Sequence, residues 1–370
     1  MRIVFVLEHY HPYIGGAERL FQLLAEALAA QGHEVTVLTT RYDAQLPAKE
    51  RHNAVQIIRI QCQNRYLFTF LSLPTVWRYA RQADLIHTTT YNAALPAWIA
   101  ARLRGKKVIV TFHEVWDQLW FRLPFASALQ KRAYYLFEQL LLRLPFDHYI
   151  AVSEFTRQAL IQKGISPSKI SRIYNGLHYE TFAHYHHQAP QQFTYTYFGR
   201  LGISKGLDLL LPAAHHFCKE HPDSRLVLIL PKRPQAIFAQ VMQLIQQLNL
   251  QKHVLIRHEL SREELYRQVC QSSCVVIPSY SEGFCFVAAE AVALEVPIVS
   301  SGQGALAEVV SGRMIQMERM DVESLRRALE RAYEGAFEEV DVRKFRMVDA
   351  VQEYLRLYEG LRGDVIASEG

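Results

Sequence analysis

No run of about 18 uninterrupted apolar residues occurs anywhere in the chain, so nothing in it reads as a membrane-spanning helix. The opening MRIVFVLEHYHPY has neither the length nor the flanks of a secretory signal, and the body of the protein is expected to face the cytoplasm. Cysteine is scarce. Cys62, Cys218, Cys270, Cys274 and Cys285 are the only five, and Cys270 and Cys274 find no later CxxC or HxxxH partner, which argues against a zinc site. Buried free thiols in a reducing compartment are expected instead. An excess of one charge is also missing: the formal net charge of +5 is too small to argue for nucleic acid. It favours anionic partners such as nucleotides, phosphorylated carriers or an acidic membrane face. There is no GxGxxG, no P-loop and no short-period repeat.

What is present is a large apolar complement. Half of the 370 residues are hydrophobic and 21% are charged, enough to fill two cores of ordinary size. RIVFVL at 2–7, a glycine-bearing turn, the amphipathic LFQLLAEALAAQG and the β-branched EVTVLTT form a strand, loop, helix and strand, the opening unit of a parallel sheet. VQIIRI, DLIHTT, KVIVTFHE and HYIAVS continue it as nearly unbroken apolar strands, the mark of a sheet covered on both faces. YHHQAPQQ then reads as an exposed linker. TYTYFGR, RLVLIL, HVLIRH, CVVIPS and PIVSS, with helices between, form a second parallel series. The expectation is an α/β chain of two Rossmann-like domains, at 1–182 and 193–350, followed by a terminal segment at 351–370. The tail from Val342 to Leu361 reads as two helix-like stretches.

Four places carry chemistry. Gly15 and Gly16 after the first strand let backbone approach a ligand at a helix start, or simply make a tight turn. In FGRLGISKG, Arg200 and Lys205 stand at the carboxyl end of a strand, where two cations can offset a diphosphate's charge as its bond to a transferred group breaks. A solvated surface pair is the plain alternative. In SEGFCFVAAEA, Glu282 lies in a glycine turn and Glu290 on the following helix; either carboxylate can accept from sugar or ribose hydroxyls, while the amides of Gly283 and Phe284 can reach a charged group. His113 ends KVIVTFHE, where it can bond a sugar, orient an acceptor or pass a proton, or be a packed histidine. Asn175-Gly176 is turn chemistry.

Between His113 and Tyr149 the chain is rich in aromatics and leucines and carries Arg122, Lys131, Arg132 and Arg143. That mixture fits either docking on an anionic membrane or one or two core helices.

Taken in order, HPYIGGAE, FHE, VSEF, YNG, FGRLGISKG, PSYSEGFCFVAAEA and AEVV resemble the large family of retaining glycosyltransferases of the family-four type, over almost the whole chain. The resemblance implies the GT-B architecture, two Rossmann-like domains facing across a deep cleft, with the terminal helix packing back on the first domain. It implies hexosyl transfer from a nucleotide-diphosphate sugar to a hydroxyl acceptor in glycolipid or cell-surface polysaccharide synthesis, with no essential metal or other cofactor. It places Gly16 against the diphosphate and acceptor side, His113 on the sugar, Arg200 and Lys205 on the diphosphate, Glu282 near sugar hydroxyls and Glu290 on the ribose. Departures occur where the family has glycine and this chain has Cys285, around LILPKR at 228–233 and around IRHEL at 256–260. An altered loop is expected in SGRMIQMERM. An epimerase or phosphorylase on the same fold, and a noncatalytic nucleotide-sugar binder, are the alternatives.

Overall fold

A computed structural model describes residues 1–13, 15–62, 64–123 and 127–368, the side chains as far as Leu361. The chain divides into two compact units. One comprises Met1–Gln118, Arg132–Gly176 and Arg346–Gly370, and the other Leu119–Lys131 and Leu177–Phe345.

The first unit is an eight-stranded sheet: β1 (Arg2–Val6), β2 (Glu34–Thr40), β3 (Lys49–His52), β4 (Val55–Ile60), β5 (Leu85–Thr89), β6 (Lys107–Phe112), β7 (His148–Ala151) and β8 (Ile170–Arg172). Their order is β3-β4-β2-β1-β5-β6-β7-β8. The expected all-parallel sheet needs one correction: β3 runs antiparallel to β4, a short hairpin closing the edge. Helix Gly16–Ala30 follows from the spacing of Leu20, Phe21, Leu24, Ala25 and Leu28, all buried. The tail forms one helix, Met347–Ser368, where the sequence reads as two. Its Tyr354 and Tyr358 are buried, and Tyr358 Oη lies 2.6 Å from His87 Nδ1 while Thr111 Oγ1 lies 2.8 Å from His87 Nε2. Burial, with His113 nearby, pushes His87 down to about 3, so it packs as a neutral ring.

The second unit is a seven-stranded sheet: β9 (Thr194–Phe198), β10 (Arg225–Ile229), β11 (Val254–Arg257), β12 (Cys274–Ile277), β13 (Ile298–Ser300), β14 (Gly312–Gln316) and β15 (Glu338–Val340). The order is β11-β10-β9-β12-β13-β14-β15, parallel except for β15 against β14. The segment expected as an altered loop supplies β14, paired to β13 from Met314 to Gln316. Leucines 207, 210 and 211 with Ala214 and Phe217 bury one side of helix Leu207–Glu220 against this sheet. The five cysteines are free thiols, four of them buried.

Candidate active site

Open α/β sheets gather ligands beyond the carboxyl ends of their strands, where the strand order reverses. In the second unit the reversal lies between β9 and β12. The segments leaving those strands, 199–206 and 278–285, are the two whose charges stand out in the sequence. They meet through side chains. Lys205 Nζ donates to Glu282 Oε1 at 2.7 Å, and Ser279 Oγ donates to the same oxygen at 2.7 Å. Burial is the largest influence and works against the Lys205 charge, but Glu282 and Cys285 together hold the ammonium above the ordinary lysine range. Arg200 is exposed, and its side chain makes no hydrogen bond or ion pair among the described residues; only its carbonyl is used, by Tyr197 Oη at 3.2 Å. The result is one cation tied to a carboxylate and one open to solvent beside it.

Backbone packing fixes this arrangement. Gly206, with φ of 69°, starts the helix after Lys205, and a Cβ there would stand 1.9 Å from the carbonyl oxygen of Pro278. The Tyr280 amide donates to the Ser204 carbonyl at 2.8 Å, joining the two segments. Behind Glu282, Gly304 passes so close that a Cβ would be 2.4 Å from the Glu282 carbonyl oxygen, which accepts from the Ala305 amide at 2.8 Å. Gly283 and Phe284 lead into helix Phe286–Ala293. The Phe284 ring packs edge-on against Phe286 and Phe345, which leaves its amide as the group that can serve a ligand. Glu290, one turn along the helix, is buried and accepts from Tyr266 Oη at 3.1 Å. Ser279 and Tyr266 are site residues the sequence reading missed, because neither sits in a charged or glycine-rich pattern.

Two departures from the resembling family acquire a physical description. Cys285 has φ of 73° and Glu259, within 256–260, has φ of 53°. Both keep the left-handed backbone that favours glycine, at about 1 kcal/mol each for a side-chain-bearing residue. Cys285 thereby brings a buried thiol beside Glu282; burial foremost, then that carboxylate, drives the thiol far above its ordinary range.

In the first unit, Gly16 opens helix Gly16–Ala30 with Gly15 at the N-cap. A Cβ on Gly15 would lie 2.0 Å from Glu18 Oε2, so the helix's own acid sits over its positive end. His113 follows β6, half-buried, with its carbonyl accepting from Thr156 Oγ1 at 3.3 Å and its ring edge-on to Phe21. Gly176 serves packing: a Cβ there would meet Met347 Cα at 2.3 Å. Among the described residues one trio, Glu220, His221 and Glu330, has ligand atoms close enough for a metal. Arg326 pairs with both glutamates, and His221 Nε2 lies 2.8 Å from Glu330 Oε2, so the trio is already engaged in an ion-pair cluster.

Of the apolar and basic stretch singled out in the sequence, Arg122 ends a short helix, Leu119–Arg122, residues 124–126 lie outside the described residues, and helix Ala128–Arg143 carries Lys131, Arg132 and Arg143. Its single acid, Glu138, points inward, is 2% exposed and accepts from the Trp116 and Asp117 amides at 2.9 and 2.7 Å. Leu129, Leu136 and Leu140 are exposed, with Arg132 and Arg143 on the same helical face.

Residues 14–181 match the family described as Glycosyltransferase Family 4, and residues 182–344 match Glycosyl transferases group 1. The chain is 28% identical over 311 residues to a GDP-mannose:cellobiosyl-diphosphopolyprenol alpha-mannosyltransferase of Xanthomonas campestris, covering 81% of this chain and 78% of that protein. It is 25% identical over 333 residues to the phosphatidylinositol N-acetylglucosaminyltransferase gpi3 subunit of Schizosaccharomyces pombe, covering 86% and 70%. Among solved structures, sucrose-phosphate synthase from Thermosynechococcus elongatus superposes with a TM-score of 0.81 at 21% identity, covering 98% of this chain and 100% of that one. HepE from Anabaena in complex with UDP and glucose superposes with a TM-score of 0.75 at 18% identity, covering 97% and 99%.

Proposed function

We propose, from the premise that the chain is a GT-B-fold glycosyltransferase built of a Glycosyltransferase Family 4 domain and a Glycosyl transferases group 1 domain, that it retains anomeric configuration while moving a hexose from a nucleotide-diphosphate sugar to a lipid-linked hydroxyl acceptor. The observation that carries the reading is the pairing of Lys205 with Glu282 at the β9/β12 reversal, with Arg200 open beside it. An ammonium has three donors, so Lys205 can keep its bond to Glu282 and still donate to a diphosphate, while the carboxylate has further lone pairs to accept from sugar hydroxyls. Arg200 supplies a fixed fork to the same phosphates. As the bond from the sugar's anomeric carbon to the phosphate oxygen breaks, the two cations stabilise the departing diphosphate. The acceptor oxygen bonds to the carbon on the face just vacated, and its proton passes to a phosphate oxygen, so no enzyme nucleophile is required. Glu290 is assigned to the ribose, Gly283 and Phe284 amides to the donor, His113 to the sugar, and Gly16 to the diphosphate and acceptor side. No metal is invoked, because the charge of the leaving group is met by Arg200 and Lys205.

The test is thermal stabilisation by UDP, GDP, ADP and their sugar conjugates. One nucleotide should raise the melting temperature of the wild type and fail to do so in Arg200→Ala/Lys205→Ala. A folded wild type unmoved by all of them would overturn the reading, and epimerised donor as the sole product would favour the epimerase alternative.

A lipid-linked acceptor has to be met at a membrane, and the outward face of helix Ala128–Arg143 fits that task by its exposed leucines, its arginines and its inward-turned acid. Wild-type protein is expected to float with vesicles of equal phosphatidylglycerol and phosphatidylcholine. Leu136→Asp/Leu140→Asp should stay in the aqueous fraction with its thermal stability unchanged, since both side chains are exposed. Equal flotation of the two proteins would remove this face from the proposal.

A further inference from the structure

The first unit has its own reversal of strand order, between β1 and β5, and by the rule that places a ligand at β9/β12 this crevice is also a binding position. What lies there is a built charge arrangement. Glu8, just past β1, is 8% exposed. Its Oε2 accepts from Asn92 Nδ2, past β5, at 2.7 Å, and its Oε1 lies 2.7 Å from Arg65 Nε and 3.2 Å from His9 Nε2. Burial opposes the Glu8 charge, and His9, Arg65 and Asn92 together hold the carboxyl below its usual range. A buried carboxylate is therefore the ion-pair partner of Arg65, with Nε the near atom. The terminal nitrogens of that guanidinium form no hydrogen bond among the described residues, and the side chain is 53% exposed. An arginine paired to a buried carboxylate near Nε, with its terminal nitrogens making no hydrogen bond among the described residues, has donors left for a second, oxygen-rich anion.

Aromatic rings wall the same place. His9 stacks on Tyr13 with ring centres 4.1 Å apart, and Tyr42 stands edge-on to both at 6.1 and 5.2 Å. Tyr13 and Tyr42 are 38% and 40% exposed, so a flat apolar surface faces outward beside a cation. Next to Arg65 in the chain, Tyr66 Oη lies 3.0 Å from Tyr134 Oη, which joins this segment to the helix whose outward face carries Leu136 and Leu140. Phe70, 71% exposed, follows on the same segment as Tyr66.

We infer that Arg65, fixed by Glu8 at the β1/β5 reversal, binds the phosphate that joins a lipid tail to the acceptor's polyol ring, with that ring packed on the Tyr13 and Tyr42 surface. The inference rests on the lipid-linked reading above and adds which phosphate chemistry is recognised, and by which side chains. The geometry orders the acceptor: tail toward Tyr66 and Phe70, phosphate on Arg65, ring toward the aromatic wall.

Direct binding tests it on the whole chain without knowing the acceptor. The probes are farnesyl diphosphate, short-chain phosphatidylinositol and, as the uncharged control, farnesol. At least one phosphate lipid should bind the wild type and farnesol should not. The bound probe tells a diphosphate from a phosphodiester source. Arg65→Ala should weaken that binding about tenfold or more, as expected for losing a charge-assisted contact. Arg65→Lys keeps a cation for Glu8 and hence the fold, but lacks a fork, so it should lose nearly as much. Tyr42→Ala, at an exposed position, should weaken phosphatidylinositol more than farnesyl diphosphate. Arg200→Ala/Lys205→Ala should leave phosphate-lipid binding intact while abolishing the nucleotide response. Failure of both lipids to bind, or equal binding by the Arg65 variants, overturns the inference while a retained nucleotide response leaves the transferase reading standing. Loss of the nucleotide response alone would do the reverse.

Discussion

Lys205→Met is expected to lower nucleotide-sugar turnover by roughly 10²–10³-fold without unfolding the protein, the magnitude typical of losing one oriented charge at a site of developing negative charge. The ammonium is 21% exposed and bonded to a carboxylate that is itself 10% exposed, so its orientation is set before any ligand arrives. Methionine keeps the length of the stem and removes the charge. Donor hydrolysis in the absence of acceptor is the suitable readout, because it requires departure of the diphosphate and no knowledge of the acceptor.

The partner substitution separates two roles. Glu282→Gln keeps an oxygen that can accept from Lys205 and Ser279, so the nucleotide diphosphate alone should still stabilise the protein as in the wild type. The nucleotide sugar should turn over at least tenfold more slowly, since a hydrogen bond to a charged acceptor is worth about 1.5–3 kcal/mol. Lys205→Met, by contrast, should weaken nucleotide diphosphate and nucleotide sugar together. Equal behaviour of the two variants in nucleotide binding would mean that Glu282 acts only as the counterion of Lys205, with no hydroxyl to hold.

The pattern of apolar strands made both sheets legible because helices cover them, and unbroken runs such as RIVFV and RLVLI have few other uses. The edges were not legible. Lys49–His52 and Glu338–Val340 are polar, exposed strands whose only reason to be strands is the neighbour they pair with. At the β9/β12 reversal, Lys205 and Glu282 stand out as charges in glycine-rich loops, and the structure joins them; their roles toward a donor stay with the proposal. Tyr266 and Ser279 could not be found that way, since a tyrosine on an amphipathic helix and a serine after a strand are commonplace until folding brings each to a carboxylate. The Glu8, Arg65 and Asn92 cluster was invisible for the same reason: its members are 57 and 27 residues apart and become one group only when β1 and β5 lie side by side. Conversely, the substitution of Cys285 for glycine was visible, but that the backbone stays left-handed beneath it was not.

Gly206→Ala is expected to destabilise the second unit by about 3 kcal/mol or more, lowering its melting temperature by roughly 6–12 °C. Two costs combine. The backbone at φ of 69° charges alanine about 1 kcal/mol. The new methyl also collides with the Pro278 carbonyl oxygen, 1.9 Å away, which is backbone and cannot rotate aside. Gly335→Ala isolates the first cost, because Gly335 has φ of 75° in the same unit and open space where its Cβ would be. It should lose only about 1 kcal/mol. The difference between the two variants therefore measures the close approach of the Lys205 segment to the segment after β12 that carries Glu282. If Pro278 yields to relieve the collision, Ser279 moves with it and its bond to Glu282 lengthens. Stabilisation by the nucleotide sugar should then fall in Gly206→Ala at temperatures where the protein is still folded, and stay at the wild-type level in Gly335→Ala. Equal losses of stability in the two alanine variants would show that the contact is soft and that Gly206 is required for its dihedral angle alone.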